Sequence, residues 1–369
     1  MKSTMQRLSQ CDDIELQIVV GGGMNLKKFG TPTKIIYKDG FYVNEEAVFL
    51  LEGGSLLAMA KSTGHAISEF ANIFEKLKPD IVVAIADRFE ALGVAIAASY
   101  MNIIVAHIEG GEVSGSIDES IRHAITKLSH MHFVATNESA KRVKQMGEDP
   151  KKIYIVGSPN LDLLKEIDVS LNFNPFEKNM GVGPVFPLVP TNYLVVSQHP
   201  VTTEYDSSLS YVQETLYAIH EINIPTIWLW PNMDAGSDAT SNGIRTFREQ
   251  YNPQRIHFFK NFSFEDYARL INNCKVLVGN SSSGIREASF LGVPVVNIGT
   301  RQQYRERGKN VVDATYNRED IKSAILKQME IARYEPDYIY GNGNAGEIIA
   351  DNLINSKLEV QKKFLSIVE

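Results

Sequence analysis

The sequence predicts an α/β protein built from two doubly wound, Rossmann-like domains. Three observations carry that expectation. Short apolar runs alternate with amphipathic segments along almost the whole chain, the pattern of parallel strands joined by crossover helices. One Pro- and Gly-rich stretch, 172–192, interrupts the alternation near the middle. At 369 residues the chain is long enough for two domains, each with its own core.

In chain order, Ile14–Val20, Ile81–Ala86, Ile103–Ile108, His132–Ala135 and Ile153–Val156 read as strands of a first domain. Helical stretches lie between them, such as Gly54–Lys76 and Phe89–Tyr100. Pro175, Pro184, Pro187 and Pro190, with Gly181 and Gly183, then mark a linker. A second series comes at Tyr193–Val196, Thr226–Trp230, Ile256–Phe259, Lys275–Val278 and Val295–Ile298. The expected organisation is an N-terminal domain over 1–171, a linker over 172–192 and a C-terminal domain over 193–354. Residues 355–369 are expected to form a last helix able to pack back on either domain, the N-terminal one or the C-terminal one.

The totals exclude several classes. A formal charge of −7 gives no electrostatic case for nucleic acid. Two cysteines, Cys11 and Cys274, are too few for a disulfide or zinc framework and suit a reducing compartment. No apolar run approaches the roughly 20 residues of a membrane span, and the first residues hold no signal-peptide core. A cytoplasmic enzyme is expected, with no membrane partner.

The segment AHIEGGEVSGSIDESIRHAITKLSH, residues 106–130, is the most informative. An apolar run stops at glycines and ionisable side chains, and a helix begins. Ser116 and Glu119 have the capping-box spacing. His107, Glu109, Glu112, Asp118 and Arg122 then surround one strand-to-helix turn, where open α/β sheets place their chemistry. Asp118 also reads as a first-turn acid paired with Arg122. In ADRFEA, 86–91, Asp87 alone reads as a helix N-cap beside a surface Arg88. With His107 and Glu109 on the next strand it reads as part of a site, where crowded carboxylates acquire separated pKa values.

In the second half, SQHP ends a strand at His199, and NMDAG, 232–236, reads as a turn or as a site loop. The stronger signal is GNSSSGIREASFLGVPVVNIGTR, 279–301. Three serines and Gly284 are expected to open a helix whose N–H groups favour a phosphate. Glu287, one turn on, suits ribose hydroxyls, and Arg301, after the next strand, suits a diphosphate. No GxGxxG or GxxxxGK[ST] occurs, so dinucleotide and P-loop readings lose support.

With ADRFEA, HIEGGEVSGSIDESIRHAITKL, HPVTT, PNMDAG and GNSSSGIRE…GTRQ together, the chain resembles the hydrolysing UDP-N-acetylglucosamine 2-epimerases of sialic and legionaminic acid synthesis. The resemblance runs from about Glu15 to Phe364. It implies a GT-B fold, two Rossmann-like domains with an interdomain cleft, with UDP held mainly by the C-terminal one. It carries UDP binding to Arg88, His199, Asn232, Ser281, Ser282, Glu287 and Arg301, and a backbone contact with uracil to Phe262. It carries acid–base roles to Asp87, Glu109 and Asp118, with His107 and Arg122 as active-site support. A UDP-sugar and UDP are the implied partners, in a homo-oligomer (dimer or tetramer), without cofactor or metal.

The chain departs from the family pattern in two places. The family opens with a strand and an Arg-containing turn, whereas Met1 falls inside what matches the following helix, so the strand beside Ile14–Val20 is expected to be missing. Where the family has a Gly-x-His-Leu turn, this chain reads GGGMNL, with Met24 or Asn25 in place of a catalytic His. Of an arginine pair tied to feedback inhibition in animal relatives, Asn242 matches the first and Arg245 the second, so such control is expected to be weak or absent.

The implied reaction is an elimination and then a hydration. A base removes the C2 proton as UDP leaves, and a glycal forms. Water then adds at C1, and C2 is reprotonated on the opposite face. The alternatives are the same chemistry on a UDP-diacetamido-trideoxy sugar, a non-hydrolysing epimerase, a GT-B glycosyltransferase and a non-catalytic UDP-sugar-binding remnant.

Overall fold

The computed structural model describes residues 1–25, 33–51, 55–232 and 234–366. Ile104–Ile108 is buried at every residue, as befits a strand inside a parallel sheet covered on both faces. The chain divides into two units, one of Met1–Val113, Ile117–Leu163 and Gly341–Glu369, the other of Ser114–Ser116 and Leu164–Tyr340.

Among the described residues, the first unit contains strands β1 (Val19–Gly21), β2 (Glu45–Ala47), β3 (Ile81–Ile85), β4 (Ile104–Ile108), β5 (Met131–Val134) and β6 (Ile153–Ile155). β1 and β2 form one parallel pair, and β3–β4–β5–β6 form a separate parallel sheet in that order. The crossover into β3 is the helix Leu56–Leu77, which starts where the Ser55 side chain accepts from the Ala58 N–H at 3.2 Å. Its apolar face, with Ala66, Phe70, Ile73 and Phe74, packs with Val82, Ala84 and Val105 of the sheet. Gly54, expected to open this helix, lies outside the described residues.

The second unit contains β7 (Gly181–Val182), β8 (Leu194–Ser197), β9 (Thr226–Leu229), β10 (Ile256–Phe259), β11 (Val276–Gly279), β12 (Val295–Ile298) and β13 (Val311–Ala314). Their order is β13-β12-β11-β8-β9-β10-β7, all parallel except β7, which runs antiparallel to β10. The winding reverses between β8 and β11. In a doubly wound sheet that reversal opens a crevice at the carboxyl ends of the strands.

Four expectations need correction. The strand expected over Ile14–Val20 pairs only over Val19–Gly21; Ile14 and Leu16 are partly buried against the cluster that holds Leu8 and Ile108, and no ladder covers them. The expected linker 172–192 is part of the second unit. Phe173, Phe176, Phe186 and Leu188 pack on its core, Gly181–Val182 joins its sheet, and the units divide at Leu163.

Of the expected helix over 355–369, residues 367–369 lie outside the described residues and the rest is not helical. The last helix is Ala345–Ile354, and 355–366 carry no helix. Asp162 holds the start of that helix by accepting from Ala345 N–H at 2.9 Å and Gly346 N–H at 2.6 Å. The tail beyond is occupied with other bonds, Lys362 Nζ to the buried Glu148 carboxylate at 2.6 Å and Leu365 N–H to Gly147 O at 3.1 Å. Finally, β2, β7 and β13 escaped the sequence reading, the first two because three- and two-residue strands leave no periodic signal.

At the winding reversal, Gly279 ends β11 with φ +127°, and a Cβ there would sit 2.2 Å from Ser197 O of β8. Gly279→Ala is expected to destabilise the protein by about 2 kcal/mol or more, read as a lowered calorimetric Tm. An unchanged Tm would show that the two strand ends can separate freely.

Candidate active site

Two groups of side chains gather at the carboxyl ends of parallel strands, one in each unit. In the first unit, β3 and β4 each end in a left-handed residue that is not glycine, Ala86 at φ +60° and Glu109 at φ +65°. Such residues are uncommon and hold strain that surrounding bonds must offset. The main chain supplies some of these bonds, Ala86 N–H to Ile108 O at 2.9 Å and Glu109 N–H to Phe133 O at 2.8 Å.

His107 supplies another. It is 0% exposed, with Nε2 at 2.8 Å from Ala86 O and Nδ1 at 3.1 Å from the Thr126 hydroxyl. A carbonyl only accepts, so Nε2 carries the proton. Burial pushes the ring pKa down to about 4, and the bond to Ala86 opposes this only in part. A neutral ring with both nitrogens occupied holds the Ala86–Asp87 turn.

Asp87 then pairs with the Arg122 guanidinium, which is 1% exposed and also donates to Glu112 O at 2.8 Å. The reading of Asp87 as a helix N-cap is therefore corrected, because the N-cap of Phe89–Tyr100 is Arg88. Arg88 forms a two-toothed pair with Glu90 at 3.1 and 3.2 Å. The Glu109 carboxylate is 6% exposed and accepts from the Ser158 hydroxyl at 2.7 Å.

The helix start does not fall where the capping-box spacing of Ser116 and Glu119 puts it. Helix Asp118–Leu128 has Ile117 at its N-cap, already in helical geometry at φ −58°, ψ −23°, and that position supplies no side-chain cap bond. Asp118 is its first residue, half-buried. Gly22–Asn25 is a short 3₁₀ turn with Met24 packed towards Ile18, Val20, Phe41 and Val43. Leu26, in the same motif, lies outside the described residues.

In the second unit, His199, Asn232, Asn280 and Arg301 come after β8, β9, β11 and β12. The Asn232 N–H donates to His199 Nδ1 at 3.1 Å, so the neutral ring carries its proton on Nε2. Asn232 Nδ2 donates to Asp234 at 2.5 Å, and Met233 between them lies outside the described residues. Arg301 donates to Asn280 O at 3.1 Å and lies 3.9 Å from Asp234.

The helix expected at the serines is only a 3₁₀ turn, Ser282–Gly284, and then the four-residue helix Glu287–Phe290. The dipole argument for a phosphate there is correspondingly weak, and the Ser281 and Ser282 hydroxyls and nearby cations matter more. Glu287 is buried as the first residue of that helix, not one turn inside it. Tyr267, missed by the sequence reading, meets Ser283 Oγ at 2.7 Å, and burial pushes its phenol up to about 12. Phe262 packs on Phe259 with ring centroids 4.8 Å apart.

Among the described residues no group of three or more His, Cys, Asp and Glu side chains could hold a metal ion. No helix among them is long and apolar enough to cross a membrane.

The depressed His107 pKa makes a pH prediction. The unfolded chain binds a proton near 6.5 and the folded chain only near 4, so stability present above pH 6.5 is lost as pH falls towards 4. One such proton gives a slope of about 1.4 kcal/mol per pH unit. His107→Gln should flatten the fall in unfolding free energy between pH 6.5 and 4.5 by up to that slope. Parallel curves for parent and variant in urea titrations would show that His107 titrates normally.

Four similarities bear on the family. Residues 6–354 match the UDP-N-acetylglucosamine 2-epimerase family. A hydrolysing UDP-N,N'-diacetylbacillosamine 2-epimerase of Legionella pneumophila is 34% identical over 347 residues, 94% of this chain and 90% of that protein. A UDP-N-acetylglucosamine 2-epimerase of Neisseria meningitidis serogroup B is 31% identical, over 100% of this chain and 95% of its own length. The crystal structure of a Neisseria meningitidis UDP-GlcNAc 2-epimerase bound to UDP-GlcNAc superposes with a TM-score of 0.79 over 96% of each chain at 16% identity. The fold is thus α/β with parallel sheets, of the GT-B type, and the chain belongs to the UDP-N-acetylglucosamine 2-epimerase family.

Proposed function

We propose that the protein is a hydrolysing UDP-N-acetylglucosamine 2-epimerase, releasing UDP and N-acetylmannosamine through a glycal. The observation that supports this most is the set of carboxylates Asp87, Glu109 and Asp118 at the ends of adjacent strands β3 and β4 and the helix after them. Elimination needs a base at C2, and the return of a proton on the opposite face needs an acid. Hydration at C1 needs a group that orients water. Three carboxylates suffice for this division, each worth on the order of 10²–10⁴ in rate.

Departing UDP carries developing negative charge, which preorganised donors stabilise. Arg301, His199 through its Nε2–H, and the Ser281 and Ser282 hydroxyls are the donors assigned here in the second unit. Asn232 positions the His199 ring, Glu287 accepts from ribose hydroxyls, and Phe262 provides a main-chain contact for uracil. His107 and Arg122 orient Asp87 and carry no proton in the reaction. No step requires a cofactor.

A second reading takes a UDP-diacetamido-trideoxy sugar as substrate. It is favoured by the identity with the Legionella relative, 34% against 31% for the Neisseria one. Incubation with each UDP-sugar, with analysis of the free sugar released, separates the two. Recovery of UDP-linked 2-epimer without free sugar would defeat the hydrolysing reading.

Two variants test the roles. Ser282→Ala combined with Glu287→Ala is expected to weaken UDP binding by about 1.5–3 kcal/mol, the range for lost hydrogen bonds to a charged group. Calorimetry showing parental affinity would remove this site. Glu109→Gln is expected to keep UDP affinity and lose exchange of solvent deuterium into C2. Exchange at the parental rate would remove Glu109 from the chemistry.

A further inference from the structure

We propose that Asn280 is the positioning residue of the UDP half-site, setting His199 and Arg301 at the point where the sheet reverses its winding. The inference rests on the UDP reading above and deepens it. Asn280 is 1% exposed and directly follows β11. Its side chain spans the reversal to β8 with two reciprocal bonds to one residue. Oδ1 accepts from the His199 N–H at 2.7 Å, and Nδ2 donates to the His199 carbonyl at 2.8 Å.

This amide does what a neighbouring strand would do. The ladder between β8 and β11 reaches Ser197 and Gly279, and Asn280 N–H adds one more bond, to Ser197 O at 3.1 Å. Beyond it the chain turns into Pro200, which has no N–H to donate. The side chain therefore serves both main-chain groups of His199, the donor and the acceptor that every such residue must satisfy away from water. Among the residues of this size only asparagine presents a donor and an acceptor side by side. Aspartate keeps the shape and loses the donor.

The backbone carbonyl of Asn280 completes the arrangement. It accepts from Arg301 Nη1 at 3.1 Å and from Gln302 Nε2 at 2.9 Å. The His199 ring, fixed at its main chain by Asn280, is fixed at Nδ1 by the Asn232 N–H. The ends of β8, β11 and β12 thus meet through one residue, and β9 joins them through the His199 ring. Asn280 leaves the diphosphate to Arg301 and the His199 Nε2–H and sets where they stand.

A position of this kind acts on the diphosphate and not on the uridine. Parent, Asn280→Asp and Asn280→Ala are titrated with UDP in the calorimeter, with uridine measured by competition and Tm recorded for each. UDP affinity is expected to fall at least tenfold in both variants while uridine affinity stays within threefold. In a His199→Ala background, Asn280→Ala is expected to cost less than threefold further. Equal losses for UDP and uridine, losses that multiply in the double variant, or parental UDP affinity in the variants would overturn the proposal. If the alanine variant does not fold, Asn280→Asp and Asn280→Ser carry the same comparison. A parent that binds no UDP defeats the UDP reading and this inference together, whereas a parent that binds UDP beside unaffected Asn280 variants defeats only the inference.

Discussion

The arrangement of much of both candidate half-sites depends on one backbone constraint, that four of the parallel strands, β3, β4, β11 and β12, are left through a left-handed residue. β3 ends into Ala86 at φ +60°, β4 into Glu109 at φ +65°, β11 at Gly279 with φ +127°, and β12 into Gly299 at φ +75°. A positive φ reverses the chain within one residue and carries the next residues over the carboxyl edge of the sheet. The side chains placed there are the chemically informative ones: Asp87 after Ala86, Glu109 itself, Asn280 to Ser282 after Gly279, and Arg301 shortly after Gly299. At the serines the helix dipole contributes little, since the helix beside them has four residues.

Where the left-handed residue carries a side chain, other groups must offset the strain. In the first unit these are buried polar contacts, His107 to Ala86 O and Ser158 to Glu109. Arg122 adds its pair with Asp87 and its bond to Glu112 O. A guanidinium that is 1% exposed would be costly to bury alone, and Asp87 is one of the groups that compensate its charge. The pair therefore does more to fix the Asp87 carboxylate in one orientation than to stabilise the fold. A fixed carboxylate suits proton transfer, which depends steeply on distance and direction.

Much of this was legible in the sequence, for identifiable reasons. Buried parallel strands are continuous apolar runs, so β3, β4, β5 and the core strands of the second unit stood out within a residue or two. The residues that break those runs, Asp87, Glu109 and Ser281–Ser282, marked the carboxyl ends. The features that stayed hidden depend on partners distant in sequence. Ser158 is 49 residues from Glu109, and Asn280 is 81 from His199. Local spacing also misled. Ser116 and Glu119 fit a capping box, yet the main chain is already helical at Ile117, which leaves Ser116 outside the first turn. The proline-rich 172–192 looked like a linker because composition reports breaks in periodicity and is blind to the aromatic packing of Phe176 and Phe186, 5.1 Å apart.

The two units solve the same backbone problem differently, and the difference matches their proposed roles. In the second unit the left-handed residues at the ends of β11 and β12 are glycines, Gly279 and Gly299, which hold no strain and admit close neighbours. Ser197 O lies where a Cβ of Gly279 would be, and the Tyr316 ring where a Cβ of Gly299 would be. A nucleotide cradle of main-chain and hydroxyl groups gains from such close approach. In the first unit Glu109 occupies the left-handed position itself, where glycine would relieve the strain but remove the carboxylate. That substitution would exchange the proposed proton-transfer group for stability, the trade expected where backbone strain belongs to function. Ala86 adds no functional group of its own. Its cost is offset by His107, whose buried ring donates from Nε2 to the Ala86 carbonyl and is kept neutral down to about pH 4 by that burial.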